Sequence, residues 1–148
     1  MIPLIAIILI LIFLFLSAIH IYWVLGGKRG SGAVIPTRDN HTKVMMPGMV
    51  PTLAVALGLL FFGTVVFLNS FEVNAGDIPG IGLIRKYGLG VIAGIFILRA
   101  VGDFNYVGFF KKVRNTAFAR NDTRYYSPLC LLIGILSVIL ELGLFMKK

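Results

Sequence analysis

The chain has 148 residues, 58% of them hydrophobic, and a formal charge of +8, which leaves room for one compact unit and no second soluble domain. A mean hydropathy of +0.94 is more apolar surface than a soluble fold of this size can hide, whereas lipid accepts it as solvent. One cysteine, Cys130, excludes an internal disulfide and CxxC redox chemistry, two scattered histidines make no zinc set, and basic residues that sit nearly all in connectors do not form a nucleic-acid surface.

Ile2 to Leu25 is an almost unbroken apolar run, interrupted by Ser17 and His20. It is long enough to cross a hydrocarbon core, has no preceding Lys or Arg and no A-x-A site, and is therefore expected to be an anchor and not a cleaved leader. Gly26 to Pro47 follows as a glycine-rich, cationic connector that lacks the spacing of a phosphate loop. The second span is expected over residues 50–69. A short connector carries Glu72, Asp77 and the breaker pair Pro79-Gly80. The third span is expected over 87–110 with Arg99 and Asp103 inside it, a basic connector over 111–126, and the fourth span over 127–146 with Glu141 inside it. The fold class is thus all-α: a polytopic membrane protein, one domain over residues 1–148, its four transmembrane helices in an antiparallel bundle.

Orientation follows from the connectors. Loops one and three share a side and hold nine basic residues (Lys28, Arg29, Arg38, Lys43, Lys111, Lys112, Arg114, Arg120 and Arg124), against four opposite, Arg85, Lys86, Lys147 and Lys148. Loops one and three are therefore expected in the cytoplasm and both termini outside. The sequons beginning at Asn40 and Asn121 would then go unglycosylated.

Polar groups within lipid are costly and each invites a reason. Arg99 and Asp103 stand four apart, on one face if the helix continues, either as a self-neutralising pair or as charges meeting a ligand, a proton path or a partner. His20 can hydrogen-bond locally or serve as an acid or base, while Tyr22 and Trp23 fit an interfacial belt. Ser127 is placed to cap the fourth helix with Pro128 in its first turn, but capping leaves Asp122, Tyr125 and Tyr126 unexplained. The first and third helices end where the fourth begins. His20, Trp23, Asp103, Tyr106, Asp122, Tyr125, Tyr126 and Cys130 are therefore expected in one half of the bilayer, with Arg99 reaching toward them as a polar pocket. Glu141 falls toward the other end, near Lys147 and Lys148. No metal site or cofactor is expected: Gly88-Leu89-Gly90-Val91-Ile92-Ala93 resembles a dinucleotide string but follows no strand. Gly90 and Gly94 instead give a small-residue face suited to helix packing or a homodimer.

These residues form a familiar pattern. His20, Tyr22, Trp23, Gly26 and Gly27 close the first helix. Arg99, Gly102, Asp103, Phe104 and Gly108 follow, then Phe118-Ala119, Asp122 and Tyr125-Tyr126-Ser127-Pro128-Leu129-Cys130. The pattern is similar to domain-of-unknown-function family 3995, small four-helix bacterial membrane proteins, and covers nearly the whole chain. The resemblance implies four helices in a bacterial cytoplasmic membrane and carries no activity with it. Three functions stay open: binding of an amphiphile such as a lipid, quinone or isoprenoid; an intramembrane enzyme moving a proton through His20 or Asp103; and a structural or regulatory subunit of a membrane complex. A small multidrug exporter ranks below these, because the first helix carries no carboxylate.

Overall fold

A computed structural model describes residues 2–30, 34–36, 48–71 and 79–146, and among them every regular element is helical. In chain order these are α1 (Ile2–Val24), α2 (Met49–Ser70), α3 (Ile81–Val101), α4 (Ala117–Asn121), a π-helical turn (Asp122–Tyr126) and α5 (Ser127–Phe145). Arg38, Lys43, the sequon at Asn40, Glu72, Asp77, Lys147 and Lys148 lie outside the described residues. Helices α1, α2 and α3 are each long and apolar enough to cross a membrane, as is the continuous run from α4 through α5. The chain is a multi-pass membrane protein. That last run has 29 residues, yet the 19 residues of α5 alone rise about 28 Å, close to a hydrocarbon thickness. The α4 and π-turn residues therefore occupy one edge of the bilayer.

The first two helices fall where hydropathy placed them, and the third does not. It begins at Ile81, after Gly80 turns the chain at φ 87°, and stops at Gly102, φ 95°. The expected span of 87–110 ran on because Phe104, Val107, Phe109 and Phe110 are apolar, but they belong to a folded connector. The fourth helical run likewise starts ten residues earlier than 127, at Ala117. Thr116 caps it, its hydroxyl accepting from the Ala119 N–H at 3.1 Å.

Two antiparallel pairs build the bundle, α1 on α2 and α3 on α5, with lighter contact of α2 with α3 and of α1 with α5. Ser17 meets Ala56 while Phe13 meets Phe62 and Gly63, so α1 and α2 run in opposite directions. Lipid gives helices no hydrophobic reason to associate, so close backbone approach and hydrogen bonds carry the packing. Ser17 Oγ donates to the Ala56 carbonyl at 2.8 Å. A Cβ added to Gly134 of α5 would sit 3.3 Å from the Ile97 nitrogen of α3. Phe13, Phe62 and Phe96 form an aromatic cluster of edge-on and tilted rings joining α1, α2 and α3, with ring centroids 5.6 to 6.1 Å apart. Leu9, Val66, Ile92, Ile133 and Leu140 fill the rest of the interior, while Leu11, Phe15, Leu57, Phe61 and Leu142 face outward to lipid.

Candidate functional site

The polar residues gather around the chain leaving α3. Arg99 lies in the last helical turn, where a cation complements the carbonyl end of the helix. Gly102 then breaks the helix, and Gly108, φ 89°, comes back against it. The backbones touch so closely that a Cβ on Gly102 would collide with the Val107 carbonyl, and one on Gly108 with the Val101 carbonyl. Between these glycines the Asp103 carboxylate folds the loop onto itself. Its Oδ1 accepts from the backbone N–H groups of Asn105 at 2.9 Å, Tyr106 at 2.7 Å and Val107 at 2.9 Å. Partial burial alone would raise the Asp103 pKa; the three N–H donors outweigh it and hold the carboxyl below the usual carboxylate range.

The expected Arg99–Asp103 pair is therefore not formed. A four-residue spacing brings side chains together only while the helix continues, and this helix has ended before Asp103. Arg99 pairs instead with Asp122, Nη2 to Oδ1 at 3.0 Å.

Asp122 opens the π turn and is fully buried. Its other oxygen, Oδ2, accepts from the Gly108 N–H at 2.8 Å, Lys111 Nζ at 2.9 Å and Ser127 Oγ at 3.1 Å. Lys111 is itself buried, and its ammonium also donates to the Gly108 carbonyl at 2.8 Å and Thr123 Oγ1 at 2.6 Å. One carboxylate thus ties the end of α3, the connector and the start of α5 into one network. Its donors and acceptors are almost fully matched, the exception being Arg99 Nη1, buried without a hydrogen-bond acceptor. Such saturation is what a buried charge needs.

Ser127 was expected as a helix cap. The helical run that contains α5 already begins at Ala117, and the hydroxyl serves Asp122 instead. Pro128 stands within a continuous helical run, where its ring would press on the carbonyl four residues earlier. The wider π turn just before it relieves that contact, with the Ser127 N–H reaching back to the Asp122 carbonyl.

Of the remaining expected residues, Tyr126 and Cys130 lie within electrostatic reach of Asp122, while His20, Trp23 and Tyr125 have local partners of their own. His20 Nδ1 donates to the Leu16 carbonyl at 2.8 Å, and its ring lies edge-on to Trp23 at 5.1 Å. Trp23 Nε1 donates to the Arg29 carbonyl at 2.9 Å. No hydrogen bond or ion pair among the described residues joins His20 to Arg99, Asp103 or Asp122. Tyr125 is exposed, with the Arg124 guanidinium 5.4 Å from its ring. Tyr126 packs against Phe118 at 6.1 Å, and Tyr106 and Cys130 are half-buried. Gly90 faces inward, the Glu141 carboxylate lying 3.2 Å from where its Cβ would be, whereas nothing stands near Gly94.

Lys111 is the site residue that sequence reading missed. By charge alone it is one more basic residue of the loop, and only its position directly after Gly108-Phe109-Phe110 hints that it is drawn inward. Beside it opens a cleft of about 390 Å³, walled by Phe109, Lys111, Ala119 and Thr123 and by the exposed Arg114, Arg120 and Arg124. Arg114 is steadied by a long contact of its Nε with the Lys111 carbonyl, 3.4 Å.

Residues 13–137 match the family described as "Protein of unknown function (DUF3995)". No curated protein and no solved structure matches the chain.

Proposed function

The chain belongs to the DUF3995 family, and we propose that it binds the anionic headgroup of a membrane amphiphile in the arginine cleft between the connector and α4. The observation that carries this reading is the cleft itself: Arg114, Arg120 and Arg124 around a volume of about 390 Å³ at the bilayer edge, with Phe109 as an apolar wall. Apart from Arg99 Nη1, the Arg99–Asp122–Lys111 network satisfies itself, so its charges are committed to the fold. Among the described residues, the three cleft arginines have no carboxylate as a hydrogen-bonded or ion-paired partner. Guanidinium groups match phosphate oxygens in geometry as well as charge, and basic pockets at helix ends suit lipid headgroups. The excess of basic residues in loops one and three puts this edge on the cytoplasmic side of a bacterial membrane, with the termini outside. The polar pocket thus moves from the bundle interior to its rim. The proton-transfer reading has less support, since His20 and Asp103 each have separate local partners.

Native mass spectrometry of protein purified in mild detergent tests the reading. Wild type should retain an anionic amphiphile stoichiometrically, an Arg120→Ala/Arg124→Ala variant should lose it, and an Arg85→Ala/Lys86→Ala control on the opposite side should keep it. Equal retention in all three would remove the cleft as the site.

A further inference from the structure

The connector between α3 and α4 leaves three phenylalanines at the surface: Phe104 is 56% exposed, Phe110 63% and Phe109 37%. Their height is fixed by the backbone. The Phe109 N–H donates to the Ala100 carbonyl at 2.9 Å and the Phe110 N–H to the Val101 carbonyl at 3.4 Å. The chain therefore returns to lie beside the last turn of a membrane-spanning helix. The Phe104 ring stacks near that of Phe110, centroids 6.4 Å apart, and so shares its level.

A second observation is independent of the aromatics. Of residues 102–110, every backbone N–H except that of Phe104 donates to an acceptor within the protein. A connector surrounded by water does not need this, because water takes up unpaired N–H groups. A connector that meets an apolar medium does. Exposed Lys112 and Arg114 follow directly, the residue types that sit at headgroup level.

We propose that residues 102–110 form an interfacial wedge seated in the membrane, with Phe104, Phe109 and Phe110 among the upper acyl chains and Lys112 and Arg114 at the headgroups. The occupant of this surface is the bilayer, because the wedge lies beside a helix whose outer face lipid already covers; Leu98, in its last turn, is 70% exposed. Phe109 serves both the wedge and the cleft wall. The wedge does not depend on the ligand reading: it would stand if the cleft proved empty.

The full chain, reconstituted alone into vesicles in a Trp23→Phe background, tests this with Phe110→Trp as a depth probe and Phe104→Trp as a second. The indole should emit blue-shifted and lose intensity in bilayers whose lipids carry bromine near the head of the acyl chain, with little loss to aqueous iodide. Strong iodide quenching with no loss in brominated bilayers would mean the loop stands in water. Protection from both quenchers would mean that protein, such as a second copy, covers it. Either result overturns the wedge.

Discussion

Replacing Asp122 with alanine removes the only carboxylate among the described residues that Lys111 and Arg99 touch. Arg99 is about one-third exposed and recovers part of its solvation. Lys111 does not, because its ammonium is buried and keeps only the neutral oxygens of Gly108 and Thr123. A buried charge stranded in this way costs about 3–5 kcal/mol. Lys111→Met should be milder, since Asp122 would still hold Arg99, the Gly108 N–H and Ser127. The double variant should then lose less than the two single losses together, with a coupling of about 0.5–3 kcal/mol. Reversible unfolding by SDS titration in mixed micelles, followed by circular dichroism, measures all three. A loss below about 1 kcal/mol for Asp122→Ala would refute the claim that this network holds α3, the connector and α5 together.

Two further outcomes follow from the geometry. Asp103 has a lowered folded pKa, so the order it imposes on its loop is fully present above the unfolded carboxylate value of about 4 and disappears as pH falls through the folded value. Amide exchange at Asn105, Tyr106 and Val107, corrected for intrinsic rates, should lose protection on acidification in wild type and respond far less in Asp103→Asn; equal responses would sink the capping role. Gly134→Leu should destabilise the monomer by about 1–3 kcal/mol through overpacking, because α3 backbone lies against it, whereas Gly94→Leu should leave the monomer intact. If copies of the chain associate through the Gly94 side, light scattering should show Gly94→Leu alone shifting the complex to monomer. The reverse pattern of stabilities would contradict the packing of α3 on α5.

Much of the architecture was legible because hydropathy is a local property. A segment such as 2–24 or 49–70 can satisfy its backbone in lipid only as a helix, whatever its neighbours do. Arg99 and Asp103 were legible as important for the same reason, each being a polar group inside an expected span, and Asp122 because helix capping left it unexplained. Their pairing was not legible. It depended on where α3 stops, and that was set by Gly102 and Gly108 meeting through space, six residues apart.

The sequence by itself determined the class of protein, the number of membrane passes and most, though not all, of the polar residues that require a partner, since each follows from composition and spacing along the chain. The tertiary structure alone decided who pairs with whom. Asp103 closes a loop instead of neutralising Arg99, Asp122 gathers both cations, and Lys111 leaves the surface to become part of the interior. A charge's partner is chosen by distance in three dimensions, and Asp122 stands 23 residues from Arg99 and 11 from Lys111, separations at which sequence spacing no longer carries information about contact.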